Sequence, residues 1–316
     1  MNNKYLYRIV RLRRLIIACL LAIFAQWAIG WWLFGPSVLL QDPPIQAGVA
    51  LFCIAVIMAL VLTYPRVWWE TLTTAMVLGL VLMLFPLFEA LPATAPDHNR
   101  GQATAWLIFG VVFGGIFLWL GLNWLPNTFE KYSFGSKRMH SRIRTDIPPN
   151  EAFKILKSTP NSTNDRTKSG PVGENGLFHV NTKINTVNAE TLEPEVEMMS
   201  YYCRIEQEDD LNQVISVYHE IDGESRVEVE YLSVRRAGRM TICEKRTVFD
   251  RANIHAEVGF WLTDFAGDHM HGQLMRAQGR KSVALVDLPH TSPLVGLARF
   301  FEQFNDDPPS RSGGSA

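Results

Sequence analysis

The chain has 316 residues, with 30 Lys and Arg against 31 Asp and Glu, and a mean hydropathy of +0.03. So even a charge balance excludes the basic footprint of a nucleic-acid binder. The averages conceal two halves: residues 1–125 hold seven cations and four acids, which leaves 23 cations and 27 acids for residues 126–316.

A bilayer core of about 30 Å needs about 20 apolar residues in a helix. Four runs meet that length: Leu15–Phe34, Gln46–Tyr64, Thr71–Leu91 and Ala103–Leu125. The only charge in them is Glu89, near the end of the third run. Backbone polar groups in hydrocarbon must be paired internally, so each run is predicted to be a transmembrane helix. The first run is expected to remain as a span and not be cleaved as a leader, because it continues into Trp27–Phe34 without a small-residue cleavage site.

Five cations, Lys4, Arg8, Arg11, Arg13 and Arg14, precede the first run, and Lys131, Lys137, Arg138, Arg142 and Arg144 follow the fourth. Arg66 stands in the link between the second and third runs, and the loop 92–102 holds only Arg100. The positive-inside rule then predicts a multi-pass protein of a cell (inner) membrane with both termini cytoplasmic. Few polar residues interrupt the runs, chiefly Gln26, Thr73, Thr74 and Asn123, so no proton relay or transport path is indicated. Pro86 is expected to kink the third helix. Gly110, Gly114 and Gly121 share a face of the fourth. Such small residues let helices approach closely, either within the bundle or in a homo-oligomer formed through Gly110 and Gly114.

Residues 126–144 read as a basic juxtamembrane linker, 140–305 as an α+β domain and 306–316 as a disordered tail. In the α+β domain a strand is predicted over Ser141–Asp146 and a helix over Glu151–Lys157. The Ser-, Thr-, Asn- and Gly-rich stretch 158–175 is predicted to be a loop. Strand candidates follow at 178–184 and 227–231, which alternate with period two, at 196–205, a mixed run, at 214–221, rich in β-branched residues, and at 240–249. Asp209-Asp210, Asp222-Gly223 and Ala237-Gly238 mark the turns, so the runs should form an antiparallel meander. Residues 254–278 fit either a helix, weakened by Gly259, Gly267 and Gly272, or a hairpin turning at Ala266-Gly267-Asp268. A strand is predicted at Lys281–Leu288 and a closing helix from Ser292-Pro293 to Phe304.

This order of elements, from the strand Ser141–Asp146 and the helix opened by Pro148-Pro149-Asn150-Glu151-Ala152-Phe153 through the meander to a closing helix, resembles the START-like helix-grip (SRPBCC) superfamily over residues 140–305. The resemblance implies a curved sheet gripping a helix around an apolar ligand cavity. It carries over no catalytic residue, since the superfamily has no universal ones. The glycines of 254–279 and the added segment 281–305 depart from the pattern.

Asp264, Asp268 and His271 fall on one helical face, and with His269 they are candidate ligands for a divalent metal. The competing interpretation is a solvated polar surface. Cys203 reads as a buried strand cysteine and not as a nucleophile paired with His219. Alternation makes Glu228 and Glu230 the wet face of a strand. No P-loop, GxGxxG, GxSxG or HExxH occurs, so no cofactor is expected. Three functions remain: binding of an apolar ligand or lipid, suggested by Met198, Met199, Tyr201 and Tyr202; a structural or signalling role through protein partners; and a metal-dependent enzyme.

Overall fold

The computed structural model describes residues 3–93, 100–129, 133–134, 137–187, 194–221, 224–250, 252–289, 291–293 and 295. The expected closing helix 292–304, the tail 306–316 and the Asp222-Gly223 turn fall wholly or mostly outside them.

A short basic helix, α1 (Lys4–Arg11), is capped by the Asn3 side chain, which accepts from the amides of Tyr5 and Leu6. Four long helices follow: α2 (Arg13–Phe34), α3 (Pro43–Thr63), α4 (Trp68–Ala93) and α5 (Arg100–Phe129). All four are long and apolar enough to cross a membrane. Helix α4 runs through Pro86 as one element. Leu15, Cys19 and Ile23 of α2 pack with Cys53, Ile57 and Val61 of α3 and with Ala75 and Leu82 of α4. The few polar side chains in the spans join helices. Trp119 donates to Thr74 Oγ1 at 3.0 Å, and Asn123 donates to Thr73 Oγ1 at 3.1 Å, which tie α5 to α4.

Beyond α5 come β1 (Ser133–Phe134), β2 (Lys137–Thr145), α6 (Pro149–Leu156), β3 (Thr167–Val172), β4 (Phe178–Val187), β5 (Pro194–Glu208), β6 (Asn212–Ile221), β7 (Glu224–Ala237), β8 (Met240–Phe249) and β9 (Ala252–Asn253). Part of the expected linker is therefore strand β2, and part of the expected loop 158–175 is edge strand β3. Strands β1 and β9 form a small separate pair. The other seven make one antiparallel sheet in the order β2-β8-β7-β6-β5-β4-β3. The first strand thus lies beside the last, with a helix leaving the first strand and the meander returning to it. This order is helix-grip-like.

Residues 254–278 form two helices, α7 (Ile254–Thr263) and α8 (Phe265–Ala277), and not a hairpin. The break is at Asp264, whose φ of 49° is left-handed, a conformation that Asp tolerates better than most residues. The predicted strand 281–288 is instead an extended segment with a single 3-10 turn, Leu285–Asp287. It cannot join the ladder because its backbone is engaged elsewhere: the amides of Leu285 and Val286 donate to Asp268.

The glycines that weaken this helix pair by propensity serve close approach. A Cβ on Gly259 would fall 2.5 Å from Trp68 Nε1 of α4, and one on Gly267 would fall 2.7 Å from the Asp264 carboxylate and 2.8 Å from Arg11. Leu262 and Leu285 enter the same apolar core as Leu12 and Leu15. The sheet domain is thus packed directly onto one end of the helix bundle, against α1 and the link between α3 and α4.

Candidate functional site

Two polar regions flank the α7–α8 pair. The first is the seam with the bundle. Tyr7 donates to Asp268 Oδ1 at 2.6 Å, and the Leu285 and Val286 amides donate to the same carboxylate at 3.0 and 2.9 Å. Asp264 accepts from Ser141 Oγ at 2.8 Å and pairs with Arg11. His271 stacks on Tyr7 with ring centroids 4.9 Å apart, and His255 of α7 lies 4.7 Å from the Trp68 ring. Arg14 donates to the Trp261 carbonyl at 2.9 Å with its guanidinium over that indole. Burial is the main cause of three shifts here: the Asp268 carboxyl is raised, the Tyr7 phenol is raised, and the His271 imidazole is pushed down to about 4.

Three of the metal candidates, Asp264, Asp268 and His271, therefore lie in this seam, with both carboxylates already engaged by protein donors. His269 bears instead on the sheet. Among the described residues no group of three or more His, Cys, Asp or Glu stands close enough to hold a metal ion. The carboxylates are also not a solvated surface: Asp264 is 5% exposed and Asp268 1%.

The second region is the concave face of the sheet, the side covered in part by α6 and α8. Cross-strand partners share a face, so the registers fix its membership. Phe178 pairs with Cys203, Cys203 with Val217, Val217 with Glu228, and Glu228 with Phe249. One step along, Ile215 pairs with Glu230 and Glu230 with Thr247. Glu228 and Glu230 thus point inward among buried apolar neighbours, which corrects their assignment to the wet face. Strand β7 runs in unbroken register, and Leu232 and Val234 are buried on this face. The period of two then brings residues 228 and 230 to the same side.

Glu228 stands 3.6 Å from His219, and Glu230 stands 2.8 Å from Lys245. Side-chain exposures of 14% for His219, 25% for Glu228, 21% for Glu230 and 22% for Lys245 leave all four within reach of solvent. Thr182 and the Tyr201 hydroxyl lie 3.1 Å apart, and Tyr201 faces the His219 ring. Burial raises the Tyr201 phenol above its ordinary value. The row is flanked on one side by Phe178, Val180, Cys203, Ile215 and Val217, and on the other by Leu232, Val234, Cys243, Met270 and Leu274. Rings of Phe249, Phe260 and Phe265 step from the sheet to the helix pair and end at His269. Burial, with Lys245 adding repulsion, pushes that imidazole down to about 3, so His269 is neutral near pH 7.

Cys203 is buried, and its thiol is pushed up to about 12, chiefly by desolvation. It pairs across the sheet with Val217 and serves as core. Of the side chains that suggested an apolar cavity, Met198 and Tyr202 are on the outer face and half exposed. Tyr201 is on the concave one. The inward acids, His219 and Lys245 were missed in the sequence. Their signal is the phase conflict within β7, where Val227, Val229 and Tyr231 alternate on one parity and Leu232 and Val234 on the other.

No family model matches the chain, and no curated protein matches it. Among solved structures it is similar to the di-domain ARO/CYC BexL from the BE-7585A biosynthetic pathway, at 10% identity and a TM-score of 0.27, over 61% of this chain and 62% of that one. The chain thus spans less than two thirds of that protein's length.

Proposed function

We propose that this multi-pass membrane protein is a tethered binding module whose helix-grip-like domain takes an amphipathic small molecule or lipid on its concave face. One observation carries this: a polar row still within reach of solvent, His219–Glu228 and Glu230–Lys245, crosses an otherwise apolar face. Ligand sites typically combine apolar walls with a few placed polar groups. The apolar flanks would bury the body of the ligand, and the row would fix its polar end. The test is native mass spectrometry of the full chain released from its membrane under mild detergent. A co-purifying lipid-like mass that is lost from a Glu230→Leu/Lys245→Leu variant supports the proposal. A ligand-free spectrum across detergents and lipid supplements counts against it.

The bundle end that carries the domain is, on this proposal, cytoplasmic. Support comes from the excess of cations at that end, since α1 and Arg66 both contact the domain there. A phosphatase active only outside the membrane should be silent when fused after Ala316 and active in the 92–102 loop. A reversed pattern would overturn the orientation.

A second use of the membrane half is favoured by α5. Among the described residues a Cβ at Gly110, Gly114 or Gly121 would meet nothing within 4 Å, so the described helices do not pack on these glycines. They leave a face on which a second copy could pack.

A further inference from the structure

At the β3–β4 edge of the sheet an open groove of about 470 Å³ runs between the strands and the C-terminal end of α8. Among the described residues Arg166, Lys183, Arg276, Arg280 and Lys281 line it, against Asp165 and Asp287. Asp287 is already shared, paired with Arg166 at 2.9 Å and with Arg276. The groove therefore carries an excess of positive charge that its own acids do not offset. Burial holds the Arg66 and Arg166 guanidiniums below their ordinary values, and each feels a cationic neighbour.

The groove also lies at the membrane boundary. Arg66 stands in the short link between the end of α3 at Thr63 and the start of α4 at Trp68. From there it donates to the carbonyls of Asn185, a groove residue, and Leu288 at 2.9 and 2.8 Å. This sets the groove at the level where headgroups meet water. On strand β5, beside the cations, Val196 is 58% exposed and lines the groove, and Met198 is 50% exposed. Exposed apolar side chains next to clustered cations at a bilayer surface suit a ligand with a charged head and acyl chains.

We propose that this groove holds the phosphate-bearing headgroup of an anionic phospholipid from the adjoining leaflet. Lys183, Arg280 and Lys281 would meet the phosphate, with Arg276 behind them, and Val196 and Met198 would rest against the acyl chains. Arg166 and Arg276 are partly offset by Asp287, so the remaining attraction comes chiefly from the exposed Lys183, Arg280 and Lys281. The site is separate from the concave-face row and does not depend on the ligand proposed there.

The full chain in detergent micelles is titrated with short-chain phosphatidylglycerol and, separately, with phosphatidylcholine of the same chain length, and bound lipid is counted by native mass spectrometry. Phosphatidylglycerol is expected to be retained roughly tenfold more tightly, and an Arg280→Gln/Lys281→Gln variant should lose most of that preference. Both side chains are exposed, so the variant should melt with the wild type; if it does not, Lys183→Gln provides the same comparison. Equal retention of the two lipids, or undiminished preference in the folded variant, overturns the proposal. So does inorganic phosphate that binds as tightly as the lipid and displaces it, which would make the groove a site for free phosphate. A Glu230→Gln variant should keep the phosphatidylglycerol preference. Loss there would transfer the lipid to the concave face and overturn the groove as its site.

Discussion

The two sides of the α7–α8 pair handle polar groups in opposite ways. Facing the bundle, Asp268 accepts three hydrogen bonds and is 1% exposed, so both of its oxygens are held by protein donors. Facing the sheet, Glu230 pairs with Lys245 and Glu228 stands beside the His219 imidazole among the described residues, and both acids remain partly open to solvent. Buried polar groups that saturate each other specify how elements dock. Polar groups left with spare capacity on an apolar face are available to something else. On this comparison the seam is a joint and the row is a site.

The joint should be the most sensitive place. Asp268→Ala would strand the Tyr7 hydroxyl and two buried amides, and losing one partner of such a network costs about 3–5 kcal/mol. Limited proteolysis should then cut between the bundle and the sheet domain, and the apparent melting temperature should fall by several degrees. Gly259→Leu should act similarly by colliding with Trp68. A wild-type protease pattern in both variants would mean that the seam does not hold the halves together.

Acid should weaken the joint next. His271, stacked on Tyr7, has its imidazole pushed down to about 4, against an ordinary value near 6.5. A histidine with a depressed folded pKa contributes stability above its unfolded pKa and loses it as pH falls through the folded one. Its Nε2 has no hydrogen-bond partner among the described residues, so protonation gains nothing there. Stability should therefore decline between pH 6.5 and 4, with His271 contributing up to about 1.4 kcal/mol per unit and His269, pushed down to about 3, adding to the fall with the same sign. Asp268, raised by burial, acts with the opposite sign and offsets part of this at the acid end. His271→Phe keeps a ring against Tyr7 and removes the titration, so its melting temperature should change less over that range. An unchanged slope would assign the effect to other groups.

The row should respond differently. Glu230–Lys245 is an ion pair about a fifth exposed on each side, so it lies between exposed pairs, worth at most about 1 kcal/mol, and fully buried ones, which cost about 3–5 kcal/mol to break. Glu230→Gln keeps the shape of the side chain and its hydrogen-bonding capacity, so it should cost less stability than Asp268→Ala while changing what the domain retains. A double-mutant cycle with Lys245→Met, read by thermal unfolding, should return a coupling of about 2 kcal/mol or less. A coupling of several kcal/mol would make the pair structural and remove the contrast with the seam.

Much of this architecture could be read along the chain, because hydrophobic length and period-two alternation are local signals. The four spans, the helix 149–156 and the meander strands all follow from them. What sequence could not supply came from long-range partners. Gly259 and Gly267 look like helix breakers until Trp68 and Arg11 are brought against them. Segment 281–288 has strand composition, but Asp268 takes its amides. Glu228 and Glu230 look solvated from their immediate neighbours and are placed inward only by the register of the whole strand. The cationic groove draws on β4, α8 and residues 165–166 and 280–287, so no single stretch announces it.

The smallest expected effect on folding concerns α5, which contrasts with the other spans as the row contrasts with the seam. Helix α2 buries Leu15, Cys19, Ile23 and Gly30, whereas among the described residues of the apolar stretch Thr104–Leu125 in α5 none is buried. Its hold on α4 comes from Trp119, Asn123 and the Trp69 indole, which donates to the Leu122 carbonyl at 3.0 Å. Because a side chain added at Gly110 or Gly114 meets nothing within 4 Å, Gly110→Leu and Gly114→Leu should change the melting temperature of the single chain hardly at all, within about 0.5 kcal/mol. Close helix approach through a small-xxx-small face does not survive such bulk. If a second copy uses this face, cysteine cross-links placed along α5 should form in membranes of the wild type and vanish in the leucine variants, with folding unchanged. Cross-links that persist in the variants, or that never form in the wild type, would leave α5 as a lipid-facing helix and the bundle as an anchor alone.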